Sequence, residues 1–347
     1  MYIKRLLLII VFLGLVGAGT FAYMVYDSFF LPNTRFNNEE AYIYIPSNAD
    51  FSEVKARLEP LLDDLEAFEA VAKRKQYINR VKPGKYVLRN GMNNNEIINA
   101  LRIGNIPVKV SFNNQESLPL LAGRISGQIE ADSFSLLKAM QDTAFLREQG
   151  LPADAALAIY LPNSYEFYWN TSALEFRERM LQEYKRYWNT ERIQKAENKG
   201  LTPVQVISLA SIVHKETSKV EERPRVAGVY LNRLKRKMLL QADPTVIFAI
   251  KKESGNYDTV IKRVLYRDLA LDSPYNTYRY PGIPPGPIAM PDISAIEAVL
   301  NAEKHDFLYF VADVEAFGYH KFAKTLSQHN RNKVQYVRWL NGQNVNR

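Results

Sequence analysis

The stretch Thr202–Thr217, TPVQVISLASIVHKET, contains the signals that decide how the second half of the chain folds. Thr202 followed by Pro203 is a strong helix start, because a threonine hydroxyl caps the first turn and proline suits the first helical position. The sequence predicts a helix from Val204 to about Thr217. Three apolar residues and one glutamate share a face of this helix: Val206, Leu209, Val213 and Glu216.

A glutamate on an apolar face is a candidate general acid. Burial disfavours the charged form of a carboxylic acid and raises its pKa toward neutral pH, where the acid can donate a proton. Two other interpretations of Glu216 stay open from the residues alone: a surface ion pair with Lys219 or Arg223, or a helix end without function. His214 is two residues earlier and faces away from Glu216, so a catalytic couple of the two is not expected.

Short motifs accompany Glu216 in a series that extends to position 330. They include ASIVHKET at 210–217, VAGVYLNRL at 226–234, LQADPTVI at 240–247, DSPYNTY at 272–278, GIPPGPIA at 282–289 and HKF at 320–322. In order and spacing they resemble the core of the endolytic murein transglycosylases, the MltG or YceG-like family. The resemblance covers about 161–330 and is weaker for the preceding part of the chain.

The resemblance implies that Glu216, the glutamate just before the threonine, is the catalytic residue. It also implies substrate contacts for residues of the later motifs, and the candidates are Asn232, Gln241, Asp243, Tyr275, Asn276, Thr277, Tyr278, Pro285 and Gly286. The chain departs from the family pattern at two positions, with His214 in place of a second glutamate and Asn163 in place of an aspartate. The second departure puts any role of Asn163 in doubt.

Two candidates have a structural alternative. Asp243 precedes Pro244, so the sequence predicts a helix N-cap there in preference to a second catalytic carboxylate. Six prolines fall within 18 positions, 274–291, and forbid regular helix or a central strand, so a stiff loop is expected. That loop can present Tyr275, Tyr278 and the amide of Asn276 to a saccharide. It can equally be a structural loop that wraps the core.

The N-terminal region contains an uncharged, mostly apolar run, Leu6–Tyr26, after Lys4 and Arg5. A membrane span needs about 20 apolar residues and positive flanks stay cytoplasmic. The run therefore predicts a single-pass anchor in the cytoplasmic (inner) membrane, with the N-terminus inside and the remaining chain outside. The alternative is a cleaved signal peptide, whose apolar region usually has only about 7 to 15 residues.

Four regions are expected: cytoplasmic tip and anchor at 1–27, a linker at 28–40, a small α+β domain at 41–107 and a mixed α/β catalytic domain at 108–347. The small domain reads as strand, helix, helix, strand and helix, an order that resembles the LysM-like domain of the family. Its alternative is a spacer without glycan affinity, since no aromatic cluster marks a sugar site in its sequence. The aromatic segment 161–169 is expected to be extended, either in the core or along a sugar groove.

Composition excludes several classes of site. The 347 residues include no cysteine and only four histidines, which show no metal-ligand spacing, so neither metal nor cofactor is expected. A net charge of +8 suits an acidic polymer or lipid surface, but both signs are spread along the chain. Nucleic acid is therefore not an expected partner.

By the resemblance, the expected activity is endolytic cleavage of the MurNAc–GlcNAc β-1,4 bond with formation of a 1,6-anhydroMurNAc end, which would limit the length of nascent strands. The implied partners are glycan strands, the cytoplasmic membrane and peptidoglycan synthases. Two rivals stay open. One is a muramidase-type hydrolase in which Asp243 or Asp272 activates water. The other is a noncatalytic wall-binding or scaffold protein.

Overall fold

The computed structural model describes residues 2–342 and divides into two compact units. The smaller unit comprises the chain up to Val110 together with 128–131 and 165–172. The larger unit comprises 111–127, 132–164 and the chain from Ala173 onward. The two short segments fall within the catalytic region expected from the sequence. They belong to the smaller unit because Glu130 accepts hydrogen bonds from Ser47 and donates its own amide to the Trp169 carbonyl.

The N-terminal apolar run forms helix α1, Tyr2–Phe30, which is longer than the run itself. None of its residues is buried, and its length and composition suffice to cross a membrane. A signal sequence near an N-terminus has the same properties. The C-terminal end of α1 is tied to the smaller unit, because the Asn94 side chain donates a hydrogen bond to the Ser28 carbonyl at 2.8 Å.

The rest of the smaller unit follows the expected order of elements. These are β1 Glu40–Ile45, α2 Phe51–Leu58, α3 Leu65–Arg74, β2 Gly84–Arg89 and α4 Asn94–Ile103. The strands pair antiparallel, with Ile43 opposite Tyr86. Side chains of Asp50, Asp64 and Asn93 cap the three helices by accepting hydrogen bonds from backbone amides of their first turns.

An exposed aromatic patch on the smaller unit is formed by Tyr42, Tyr44 and Trp169. Tyr44 and Trp169 meet edge to face with ring centroids 5.2 Å apart, and Lys85 lies over the Tyr42 ring at 4.4 Å. Tyr42 is 51% exposed, so one ring of the patch is accessible to solvent. The sequence of 41–107 alone shows no such cluster, because Trp169 lies far along the chain and only folding brings it to β1.

Strands β3, Pro107–Phe112, and β4, Asn163–Tyr168, form a second two-stranded sheet. The aromatic segment 161–169 is extended, as expected. Phe167 is buried and Tyr168 is 54% exposed, so only part of the segment belongs to the core. Three short helices lie between the strands: α5 Leu118–Ser126, α6 Ser133–Met140 and α7 Thr143–Glu148.

The C-terminal half of the larger unit is mainly helical. Its elements are α8 Ala173–Tyr187, α9 Thr190–Glu197, α10 Pro203–Glu216, α11 Arg223–Lys235, α12 Asp243–Ser254, α13 Ile293–Leu300, β5 Tyr309–Ala312, β6 His320–Ala323 and α14 Leu326–Gly342. Strands β5 and β6 pair antiparallel. Every residue from Val206 to Val213 is buried, so α10 is a central helix and not an amphipathic one with a single apolar stripe.

Candidate active site

Helix α10 begins and ends as its sequence predicts. The Thr202 hydroxyl accepts a hydrogen bond from the Gln205 backbone amide, and Oε1 of Gln205 accepts one from the Thr202 backbone amide, so the two residues form a capping box. Pro203 is the first helical residue. The helix ends at Glu216, and Thr217 continues in an extended conformation. Glu216 is therefore presented at the C-terminal end of a rigid, buried helix.

The Glu216 carboxyl lies against Tyr230 of α11. The Tyr230 hydroxyl donates a hydrogen bond of 2.6 Å to Oε1 of Glu216, and Tyr230 is itself 1% exposed. Burial raises the pKa of Glu216 to about 7, although the hydrogen bond from Tyr230 and the interaction with His320 lower it. The carboxyl is thus about half protonated near neutral pH, which is the condition for a group that must both give and take a proton.

A second carboxylate, Asp243, faces the same region from α12. Its proximity raises the pKa of Glu216, and its Oδ1 accepts a hydrogen bond of 2.5 Å from the Tyr278 hydroxyl. The expectation that Asp243 is a helix N-cap was wrong. The N-cap is Ala242 and Asp243 is the first helical residue, because the Asp243 side chain bonds Tyr278 and not an amide of its own helix.

A histidine and a buried glutamate lie next to this pair. Glu222 is 6% exposed and accepts two hydrogen bonds from His320, one from the backbone amide at 2.7 Å and one at Nδ1 at 2.8 Å. Burial alone would raise the pKa of Glu222, but the bonds from His320 hold it below its ordinary value. The Phe310 ring contacts both His320 and Tyr230, at centroid distances of 5.0 and 5.9 Å.

Arg233 is a fixed positive charge beneath the site. Its guanidinium donates hydrogen bonds to the carbonyls of Leu308 and Leu240 at 2.6 and 2.7 Å, and it is 8% exposed. The positive charge lowers the pKa of Glu216, opposing the effect of Asp243. Arg233 also connects α11 to β5 and to the segment before α12, so it holds the elements of the site together.

His214 does not join this group. Its Nδ1 lies 3.3 Å from both the Asp292 carboxylate and the Arg223 guanidinium. Arg223 in turn bonds Asp292, and Lys219 lies over the Tyr319 ring at 4.9 Å, so both residues expected as ion-pair partners of Glu216 have other partners. The sequence-based orientation of His214, away from Glu216, agrees with this placement.

The proline-rich loop is held by the side chains expected to bind substrate. Asn276 is fully buried and donates to the carbonyls of Leu269 and Leu271, at 3.0 and 2.8 Å. Thr277 is buried too, and its hydroxyl bonds Thr245 and the Ala242 amide. Both side chains bond other groups of the protein. Contact of either residue with a saccharide stays a prediction.

Other loop candidates are divided between the core and the surface. Tyr275 is 1% exposed and packs on Phe248 with ring centroids 4.8 Å apart. A Cβ added to Gly286 would lie 1.9 Å from the Asp154 carbonyl oxygen, so only glycine fits at this close approach. Pro285 is half-buried beside it. Tyr278 is half-buried and is the loop residue that reaches the carboxylate of Asp243.

Of the two remaining candidates, Asn232 bonds the protein itself and Gln241 is exposed. The Asn232 side chain donates to the carbonyls of His305 and Phe307 at 2.8 and 3.1 Å, joining α11 to the segment before β5. Gln241 has an exposed side chain on a backbone with φ of 51°, and its amide donates to the Thr277 carbonyl. The side-chain carboxamide of Gln241 is therefore accessible to solvent just before the N-terminal end of α12.

Sequence reasoning gave no role to Tyr230, Glu222, His320 or Arg233. All four stand within or beside the quoted motifs, yet only the fold brings them together. Among residues 2–342, no three His, Asp or Glu side chains are grouped so that they could hold a metal ion.

The chain is similar to known proteins over most of its length. A model of the YceG-like family matches residues 43–335, which include every element around Glu216. The chain belongs to the YceG-like family. A family relative, the endolytic murein transglycosylase of Bacillus subtilis (strain 168), is 30% identical over 93% of this chain and 91% of its own length.

Two further relatives extend the comparison. The endolytic murein transglycosylase of Streptococcus pneumoniae serotype 2 (strain D39) is 29% identical over 94% of this chain and 64% of its own length. A crystal structure of a YceG-like protein from Listeria monocytogenes is similar with a TM-score of 0.56 and 28% identity. The match covers 85% of this chain and 99% of that protein.

Proposed function

We propose that this protein is an endolytic murein transglycosylase that α1 anchors in the cytoplasmic membrane, and that Glu216 is its general acid and base. The observation that carries the proposal is the half-buried carboxyl of Glu216, whose pKa desolvation raises to about 7 and which accepts a hydrogen bond of 2.6 Å from Tyr230. The names of the relatives from Bacillus subtilis and Streptococcus pneumoniae support the substrate class.

The proposed reaction has two proton transfers at one residue. Protonated Glu216 gives its proton to the oxygen that bridges C1 of MurNAc and C4 of GlcNAc, and the C1–O bond breaks as positive charge develops at C1. The Glu216 carboxylate then takes the proton of the MurNAc C6 hydroxyl as that oxygen attacks C1. The product is a 1,6-anhydroMurNAc end, and Glu216 returns to its protonated form.

The neighbours of Glu216 support this cycle. Tyr230 remains a hydrogen-bond donor throughout, because burial holds its pKa well above the ordinary value. Its bond fixes the carboxyl and stabilises the ionised form, while burial stabilises the protonated one. The carboxylate of Asp243 contributes negative charge that would favour the developing positive charge at C1.

A muramidase-type hydrolase is the rival reaction, with Asp243 or Asp272 activating water. Both carboxylates accept hydrogen bonds from tyrosine hydroxyls, Asp243 from Tyr278 and Asp272 from Tyr280. In each carboxylate one oxygen is therefore already engaged by a phenol, which leaves it less free to position a water molecule and favours the transglycosylase. Mass spectrometry of purified sacculi digested by the wild type and by Glu216→Gln tests the choice. Anhydro ends from the wild type alone are expected; reducing ends would reject the mechanism.

We also propose that the smaller unit is LysM-like and binds glycan through its exposed patch of Tyr42, Tyr44 and Trp169. Aromatic rings stack on the apolar faces of sugars, and the rings here are preorganised on a strand. The proposed orientation places the N-terminus in the cytoplasm and both units outside, where nascent strands would be cut and their length limited. Peptidoglycan synthases are proposed partners because they supply those strands.

A further inference from the structure

A cavity of about 490 Å³ in the larger unit is lined by residues of α10 and α12, the helices that carry Glu216 and Asp243, but by neither of these two carboxylates. It is lined by Lys215, the residue before Glu216, and by Pro244, the residue after Asp243. Adjacent Cα atoms are about 3.8 Å apart, so the cavity begins within a few ångströms of the backbone that carries both carboxylates. The reaction proposed above uses none of its lining residues.

Charged groups in the cavity are arranged around one carboxylate. Glu116 accepts hydrogen bonds from Lys215 and Lys251, at 2.5 and 2.7 Å to its two oxygens. An ammonium group has three donors, so each lysine keeps two for another acceptor. The Lys251 side chain is 12% exposed, which makes its charge partly desolvated and strengthens any further bond it forms. The remaining charge in the lining is Asp258.

Apolar surface separates these charges. Leu120, Ile247, Phe248 and Ile288 form walls, and Val260 stands at the rim with 79% of its surface exposed. A ligand complementary to the cavity is therefore small, carries carboxylates for the two lysines and an amine for Asp258, and has apolar groups between them. A glycan strand without its peptides has one lactyl carboxylate on each MurNAc, but it has no amine for Asp258 and no apolar side chains for the walls.

We propose that this cavity binds the peptide stem attached to MurNAc, an inference that rests on the proposed function. A murein stem is a short peptide with free carboxylates, the amine of a diamino acid and alanine methyl groups, and it branches from the sugar whose C1–O bond is cut. An extended stem of four residues spans at most about 14 Å, a reach that suits a cavity next to the cutting residue. The cavity would then select strands that still carry their peptides.

The test compares two substrates and two lysine variants of the full-length protein in detergent. The substrates are glycan strands with intact stems and strands from which an amidase has removed them. The variants are Lys251→Met and its matched control Lys252→Met, because Lys252 is the next residue of α12 but pairs with Asp154 outside the cavity lining. Thermal unfolding confirms that both variants fold.

For Lys251→Met, we expect kcat/KM on peptide-bearing strands to fall roughly ten- to hundredfold, the effect of losing one hydrogen bond to a charged group. On peptide-free strands it should equal the wild type, and Lys252→Met should match the wild type on both. Equal losses on both substrates, or no loss on either, would overturn the proposal.

Binding of a free stem tetrapeptide, measured by calorimetry, separates this inference from the proposed function. If the wild type cuts neither substrate, the proposed function fails, while the cavity is still judged by whether the tetrapeptide binds and whether Lys251→Met weakens that binding. If the wild type cuts both strands equally well and binds no tetrapeptide, the cavity proposal fails and the transglycosylase proposal stands.

Discussion

Tyr230 and Glu216 face each other across α10 and α11, joined by a hydrogen bond of 2.6 Å from the phenol to the carboxyl. Neither group has the surroundings of an ordinary surface pair, since Tyr230 is buried and Glu216 has a pKa near 7. Burial raises this pKa and the phenol lowers it, so the acidity of Glu216 depends on a balance that single substitutions can change.

Tyr230→Phe removes the phenol and keeps the ring. The pKa of Glu216 should rise further above 7, because the lost bond favoured the carboxylate. The basic limb of the kcat/KM profile, where Glu216 loses its proton, should move to higher pH. We also expect kcat to fall roughly ten- to hundredfold. Tyr187→Phe is the control, since it removes a similar bond to Glu297 elsewhere. An unmoved basic limb would count against the balance described here.

Glu216→Gln should change how stability depends on pH. The folded-state pKa is about 7 against an ordinary 4.5, so the folded protein keeps a proton that the unfolded chain loses between these values. The free energy of unfolding of the wild type should therefore fall from pH 4.5 to 7. The stability advantage of Glu216→Gln should grow by about 2 to 3 kcal/mol over that window. Thermal unfolding across pH measures it, and a constant difference would show that Glu216 is not desolvated.

Asn276 and Gln241 should respond differently to removal of their side chains. Asn276→Ala removes a fully buried amide that bonds the half-buried carbonyls of Leu269 and Leu271, and it should lower the free energy of unfolding by about 1 to 3 kcal/mol. Gln241→Ala removes an exposed side chain and should leave stability unchanged. Chemical denaturation compares the two. A stable Asn276→Ala would mean that the amide is not needed to hold the loop.

Gly286→Ala should destabilise the larger unit. The new Cβ would stand 1.9 Å from the Asp154 carbonyl oxygen, a backbone atom that cannot move without shifting its neighbours. Overpacking of this kind costs about 1 to 3 kcal/mol. Gly123→Ala is the control because nothing lies within 4 Å of its added Cβ. Equal melting temperatures for the two variants would contradict the close approach.

The aromatic patch should contribute to wall binding independently of cleavage. In a Glu216→Gln background, Tyr44→Ala combined with Trp169→Ala should weaken sedimentation with purified sacculi by roughly tenfold. Stacking of one aromatic ring contributes about 0.5 to 1.5 kcal/mol, and the double variant removes two rings. Tyr266→Ala, which removes a ring 89% exposed in the larger unit, is the control. Unchanged sedimentation of the double variant would remove glycan binding from the smaller unit.

Local signals were sufficient for much of the fold. Thr202 and Pro203 fixed the start of α10, and turn residues and alternating apolar residues located β1, β2 and the helices between them. The position of Asp243 in its helix was predicted wrongly, because aspartate is common both at the N-cap and in the first turn of a helix. Its side chain instead met Tyr278, a partner 35 residues away that local reasoning does not include.

The candidate site was only partly accessible from the sequence. The apolar face alone left the role of Glu216 open and the family resemblance singled it out. Tyr230, Glu222 and His320, in contrast, resemble ordinary helix and strand residues. Their proximity follows from how α11 and β6 pack, which depends on long-range contacts. The burial of Asn276 has a different origin, since its side chain bonds carbonyls only five and seven residues earlier in the chain.

The most direct test of the central claim is digestion of purified sacculi in water enriched in heavy oxygen, followed by mass spectrometry of the new MurNAc ends. An intramolecular attack by the C6 hydroxyl at a site run by Glu216 predicts ends that are one water lighter and carry no heavy oxygen, with none formed by Glu216→Gln. Ends that incorporate heavy oxygen, or cleavage that persists in Glu216→Gln, would contradict the account.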